Sequence, residues 1–158
     1  MFSFRRTKPD DLLSSQLFDE KCFYTAFSKD LRHCKKQVVI ESPYMTNARV
    51  DMLKPILKKL VKRGVKVRIN TRFPEHHDTL LRIQSYQATK TLKSIGVQVW
   101  YFHDYHHRKI AVLDGQILYE GSLNILSQNR SREIMRRIES VELTRQMMSF
   151  LGMKRFYW

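Results

Sequence analysis

Apolar positions along this chain recur with two different spacings, and the changes between them mark its elements. Within Ser15 to Lys36, Phe23, Phe27, Leu31 and Cys34 recur every third or fourth position, the stripe of an amphipathic helix. Val38 to Ile40 is a short apolar run ended by Ser42-Pro43, which predicts a buried strand. Helical spacing returns at Val50, Leu53, Leu57, Leu60 and Val61, with Thr46 or Asn47 as the cap and Gly64 as the stop. Pro55 inside that pattern predicts a kink or the helix's true first turn. Val65 to Thr71 alternates Val65, Val67 and Ile69 with Lys66, Arg68 and Asn70, a strand with one basic face, and Phe73 to His77 reads as loop. Asp78 to Ile95 carries Leu81, Ala88, Leu92 and Ile95 on one side and is stopped by Gly96, a further helix. Val97 to Phe102 is then a strand, and His103 to His106 a connection.

Residues 107 to 113 alternate polar or small side chains with apolar ones and contain β-branched Ile110 and Val112, which predicts a strand. Positions two apart share a face, so His107 and Lys109 project side by side, an imidazole beside an ammonium. Asp114-Gly115 reads as a tight turn, with Gln116 to Glu120 returning as the second arm of a hairpin. Gly121-Ser122-Leu123-Asn124 follows as a small-residue turn offering hydroxyl and amide groups, and Glu133 opens an alternating run through Glu139. A Met-rich helix from Val141 to Leu151 and a basic-aromatic tail from Lys154 to Trp158 complete the chain. Strands alternating with helices, then a hairpin and another strand, predict a single-domain α/β fold with a mixed β-sheet flanked by helices on both faces. Residues 1–14 show no clean period and read as an N-terminal arm, leaving 15–158 as the domain.

Charge narrows the partners. Among 158 residues, 29 Lys and Arg against 15 Asp and Glu leave a formal +14, a field suited to a polyanion: nucleic acid or an anionic membrane surface. Cys22 and Cys34 have no Cys-x-x-Cys spacing, so neither a disulfide framework nor a zinc site is suggested. The N-terminus lacks the apolar core of a signal peptide, and no apolar run approaches the roughly 20 residues of a membrane span. The expectation is a soluble, cytoplasmic protein without stable membrane insertion.

His107-x-Lys109, four residues, Asp114, then Gly121-Ser122-x-Asn124 resembles the signature of the phospholipase D superfamily position by position. Glu133 falls where many members keep a carboxylate that orients the histidine, and Val38 to Tyr44 resembles their first core strand and loop. The resemblance runs from about Phe23 to about Leu151 and implies an α/β/α sandwich. It also implies phosphodiester cleavage through a phosphohistidine, with no metal and no other cofactor. Members with two signatures bring two histidines together at a pseudo-two-fold axis, so a chain with one signature implies a homodimer whose site takes His107, Lys109, Asn124 and Ser122 from both subunits. The pair would titrate as a coupled unit, with bell-shaped activity near the histidine range.

On this resemblance His107, Lys109, Asn124, Glu133 and Asp114 are the catalytic candidates. For Asp114, the turn preference of Asp-Gly favours a structural role over a catalytic one. Substrate-binding candidates are Ser122, Gly121, Arg130, Arg132, Tyr44, Ser42 and His106. Arg130, Arg132, Arg136 and Arg137 flank the site and read as a groove that tracks a phosphate backbone, whereas Lys58 to Arg63 reads as plain helix surface. Tyr44, Tyr101 and Tyr105 are candidates for stacking on bases. His103, Asp104, His106 and His107, with His76-His77-Asp78, fit no standard metal-ligand spacing and read as polar lining, with His106 and Tyr105 near the mouth. The reading that follows is a nuclease. Its rivals are a phospholipid-hydrolysing or phosphatidyl-transferring enzyme and a nucleic-acid-binding module with little or no catalysis.

Overall fold

The computed structural model describes residues 12–153. The elements are β1 (Ser14–Asp19), α1 (Phe23–His33), β2 (Gln37–Glu41), α2 (Asn47–Lys62), β3 (Lys66–Arg72), a 3₁₀ turn (Pro74–His76), α3 (Thr79–Ser94), β4 (Gln98–Phe102), β5 (Ile110–Leu113), β6 (Ile117–Gly121), β7 (Ile134–Glu139) and α4 (Val141–Phe150). One seven-stranded mixed sheet runs in the order β1-β7-β6-β5-β2-β3-β4. Strands β2, β3 and β4 are parallel because α2 and α3 carry the chain back between them, and the other pairings are antiparallel.

Alternate side chains of the central strands feed two cores. Val38, Ile40, Ile69, Ala111 and Tyr119 pack with Phe23 and Phe27 of α1, Leu53 and Leu57 of α2 and Leu92 of α3. Val39, Ile110, Val112, Leu118 and Ile138 point the other way and meet Met148 of α4 and Met153. Every residue of β2 is buried, so the strand reads as an unbroken apolar run rather than an alternation. The helices flank the sheet unequally, with α1, α2 and α3 on one face and α4 on the other.

Several boundaries differ from the sequence expectation. The helix expected from Ser15 is α1 alone, and the residues before it form β1, antiparallel to β7 at the sheet edge. Its polar Ser14, Ser15 and Gln16 mask the alternation, and only Phe18 packs into a core. The expected arm therefore stops short of residue 14: Leu13 N–H already donates to the Glu139 carbonyl at 2.8 Å, while residues 1–11 and the expected tail from Lys154 lie outside the described residues. Pro55 sits inside an unbroken α2 and is not its first turn. The expected strand from 107 begins only at Ile110, where its pairing to both neighbours starts: Ile110 lies opposite Glu41, the last residue of β2, and Glu120 of β6.

That register decides where the loops meet. The carboxyl ends of β2, β3 and β4, the start of β5, the end of β6 and the start of β7 lie at one end of the sheet. The segments 42–45, 73–77, 103–109 and 122–133 all emerge there, the end at which open α/β sheets bind ligands. Gly121 allows β6 and β7 to close up at this end, because a Cβ on it would stand 2.2 Å from the Ile134 carbonyl oxygen and 3.0 Å from the Met135 Cα. Gly121→Ala is therefore expected to destabilise the fold by about 2 kcal/mol, measured as a lower midpoint in urea unfolding.

Candidate active site

His107 stands on the irregular segment between β4 and β5, and both of its ring nitrogens have partners. Lys109 Nζ lies 3.0 Å from Nδ1, and the Tyr44 hydroxyl lies 3.1 Å from Nε2. An ammonium has donors only, so Nδ1 must accept, and the ring hydrogen is then assigned to Nε2, which donates to Tyr44 Oη. Tyr44 Oη also accepts from Arg72 Nη1 at 3.4 Å, which leaves its own hydrogen free for another acceptor. Partial desolvation lowers the pKa of His107, and Lys109 and Arg72 lower it further. Lys109 is lowered by desolvation first, with Glu133 opposing the shift.

Arg72 closes β3 and is a site residue that sequence reasoning missed. It is only 7% exposed. Its Nη2 donates to the carbonyls of Tyr105 and His106 at 3.4 and 3.3 Å, its guanidinium lies 5.2 Å from the Tyr44 ring centre, and its Nε is buried with no partner among the described residues. No carboxylate pairs with it among the described residues. Glu41 presents the opposite case. Its fully buried carboxylate accepts from Arg108 Nε at 2.7 Å and from Asn70 Nδ2 at 3.1 Å, tying the middle residue of His107-x-Lys109 to the end of β2. Neither role has a local sequence signal, because each partner lies far away along the chain.

The remaining candidates fall into different places. Asn124 ends the Gly121-Ser122 turn with its Oδ1 buried and unpaired, while its carbonyl accepts from Ser127 and Gln128 N–H. The turn is fixed by Leu123, Ile125 and Leu126, all fully buried, and by Tyr24 Oη donating to the Ile125 carbonyl at 2.7 Å. Ser122 Oγ accepts from Ile134 N–H at 3.1 Å, so its hydroxyl serves the chain in this structure. Ser42, a substrate-binding candidate from sequence, is fully buried, donating to the Tyr44 carbonyl and accepting from Leu126 N–H, so it joins the two loops instead. Arg132, Glu133 and Ser122 line one open concavity of about 410 Å³, and Arg130 is exposed nearby.

Three expectations are corrected. Glu133 does not reach the ring of His107, whose nitrogens face Tyr44 and Lys109; it acts on the Lys109 charge. His106 is not at the mouth, since its ring is buried 4.6 Å from the Phe102 ring, and burial lowers its pKa. Arg137 leaves the expected basic groove, because it bridges Asp30 at 2.6 Å and Glu139 at 3.3 Å. Tyr105 is exposed and stacks on His76 at 5.1 Å, and His77 lies 5.3 Å from the Tyr44 ring, so an aromatic wall adjoins His107.

Asp114 is at the other end of β5, roughly 13 Å away by strand rise. It adopts φ 53° and Gly115 φ 66°, the left-handed pair the turn requires. Its carboxylate accepts from the backbone N–H groups of Lys35, Lys36 and Gln37 at 2.8, 2.8 and 3.0 Å. The hairpin turn thereby caps the entry to β2.

Asp114→Ala is expected to cost about 2 kcal/mol of stability through three lost acceptor contacts, read by denaturant unfolding, while turnover per folded molecule stays unchanged. Arg72→Gln is expected to raise the His107 pKa toward the ordinary histidine value, read by NMR titration of the ring. In the unaltered protein the depressed pKa means that the unfolded ring binds its proton first as pH falls. This group therefore adds stability above the ordinary histidine pKa and loses it below.

The family model described as "Cardiolipin synthase, PLD-like domain" matches residues 27–153. No curated protein matches the sequence with significance. Among solved structures, the chain is similar to a phospholipase D family member, Nuc from Salmonella typhimurium, at TM-score 0.71 and 15% identity, covering 87% of this chain and 90% of that one. It is similar to NucT from Helicobacter pylori at TM-score 0.67 and 20% identity, covering 87% and 92%. It also resembles a phosphatidylserine synthase from Haemophilus influenzae Rd KW20 at TM-score 0.64 and 16% identity, covering 99% of this chain and 41% of that one. With the family model spanning most of the chain and the same fold in these structures, the chain belongs to the phospholipase D superfamily.

Proposed function

We propose that the protein is a metal-independent phosphodiesterase that cleaves nucleic acid through a phosphohistidine on His107, with the site completed by a second copy of the chain. The observation that carries this reading is an imidazole held between Tyr44 and Lys109, with Arg72, unpaired with any carboxylate among the described residues, behind it. An anionic phosphoryl group offers Lys109 a better acceptor than Nδ1. Once Lys109 turns to the phosphoryl oxygens, the ring hydrogen can pass to Nδ1 and free the Nε2 lone pair. Nε2 then forms the N–P bond as the P–O bond to the leaving strand breaks, and the second copy's histidine gives that oxygen its proton. Water next attacks phosphorus, yields its proton to the same histidine, and breaks the P–N bond. Lys109, with Arg72 and the Asn124 amide, supplies the charge and hydrogen bonds around the non-bridging oxygens.

Three features support this choice of substrate and assembly. The formal +14 favours a polyanion. The names of two similar structures, Nuc and NucT, agree with a nuclease. Leu17 and Ile134 are each 54% exposed on the sheet face that also carries α4. They line an open concavity of about 440 Å³ with Lys109, Glu120 and Arg136, a surface suited to a two-fold partner beside the site. The second reading is a lipid phosphodiester substrate, favoured by the synthase descriptions of the family model and of one similar structure.

Single- and double-stranded DNA, RNA and a phosphatidyl substrate, each incubated in EDTA with the protein and with His107→Ala, separate these readings. Nucleic-acid cleavage by the unaltered protein alone is expected. Cleavage of the phosphatidyl substrate alone would replace the substrate class, and binding without cleavage would leave a nucleic-acid-binding module. Light scattering is expected to give twice the 19.0 kDa chain mass, and full activity from a strict monomer would exclude the shared site.

A further inference from the structure

The end of the sheet opposite His107 gathers cations that form no ion pair among the described residues. Lys58, Lys59, Lys62 and Arg63 end α2, and Arg32, Lys35 and Lys36 follow from the end of α1 into β2; all are exposed. Among the described residues none of them stands in an ion pair. The carboxylates in reach are already engaged. Asp114 is held by the backbone N–H groups of residues 35–37, and Asp30 by Arg137 and Tyr119.

A bland account exists, since cations in the last turn of a helix complement its dipole. Three helices end here, and their partial charges come to roughly −1.5 in all, far less than these cations supply. The excess is also shaped. A surface groove of about 170 Å³ runs between α1 and α2, lined by Arg32, Pro55, Ile56, Lys59, Leu60 and Arg63. Arg63 is a fixed charge within it, because its Nη2 donates to the carbonyls of Arg32 and Cys34 at 3.0 and 2.8 Å.

We propose that this basic end is a docking surface for the phosphate backbone of nucleic acid, separate from the His107 site. For its partner it rests on the nucleic-acid reading above; the concentration of charge stands apart from it. A bilayer is the less fitting polyanion, because surface helices bind one by pairing cations with exposed apolar side chains. The cluster's own stretches, 32–36 and 58–63, hold none of the large exposed apolar residues of the described chain; Met52 lies earlier on α2, and Leu12, Leu13 and Val141 lie at the β1–β7 edge of the same end. Strand β2 separates the two ends by about 17 Å. A substrate confined to the His107 end cannot touch the cluster, whereas a long strand can engage both.

Lys58→Glu/Lys62→Glu tests the surface against Arg82→Glu/Arg145→Glu, which changes the charge equally at a partly exposed and an exposed arginine elsewhere, each paired with a surface glutamate. Binding is read by anisotropy with a dinucleotide, a long single strand and phosphatidylserine vesicles, all in a His107→Ala background. Catalysis is read separately on bis(p-nitrophenyl) phosphate with His107 intact. The expected result is at least about tenfold weaker binding of the long strand by the Lys58/Lys62 variant alone. Its salt slope should shrink by about 0.7 for each lost phosphate contact, with dinucleotide binding and hydrolysis of the small diester unchanged. An equal loss in the control pair, no loss, or a loss confined to vesicles would overturn the proposal. If the unaltered protein fails to hydrolyse the small diester, the catalytic reading falls, while a selective loss of strand binding still supports the surface.

Discussion

A carboxylate with no exposed surface at the end of a fully buried strand has to be neutralised, and the way Glu41 is neutralised organises the site. Arg108 supplies the charge from between His107 and Lys109, and Asn70 of the neighbouring strand takes the second oxygen. Removing one partner of such a pair leaves an uncompensated buried charge and costs about 3 kcal/mol or more. The segment carrying the imidazole has left the sheet ladder before Ile110, so it depends on this pair and on Arg72 for its position. Two arginines thus hold one irregular stretch, one through a side-chain carboxylate and the other through backbone carbonyls.

Their charges are handled differently, and the difference sets the field around His107. Arg108 is balanced by Glu41, while among the described residues Arg72 donates to carbonyl oxygens and the Tyr44 hydroxyl and pairs with no carboxylate. The local field around His107 is therefore positive before any ligand arrives, which opposes its protonation. The same field favours an anionic group, so the surroundings that oppose protonation of His107 also suit an anionic ligand beside it.

Much of this was legible in the chain, for reasons that differ by element. The stripes of α1, α2 and α3 and the apolar run of β2 announced themselves because each buries a continuous face. The motif residues His107 and Lys109 were expected side by side and do stand together, although on a loop end instead of a strand. Strand β1 was hidden because an edge strand with one packed residue, Phe18, leaves too weak a pattern. Arg72 and Glu41 were hidden for a different reason. A lone charged residue ending a strand looks the same in sequence whether it faces solvent or a partner tens of positions away.

The site also holds polar atoms that the described residues do not satisfy. Arg72 Nε and Asn124 Oδ1 are buried without partners among the described residues, and each such atom costs on the order of 1–3 kcal/mol. The surrounding contacts bear that cost. Ser42 links the loop after β2 to Leu126, the Thr46 N–H donates to the Leu126 carbonyl, and Arg49 donates twice to the Gln128 carbonyl. With Leu123, Ile125 and Leu126 fully buried, the turn that presents Asn124 cannot relax to pair its amide without pulling three side chains out of the core. Hydrophobic burial of the neighbouring turn therefore holds the Asn124 amide in place, with its oxygen unpaired among the described residues.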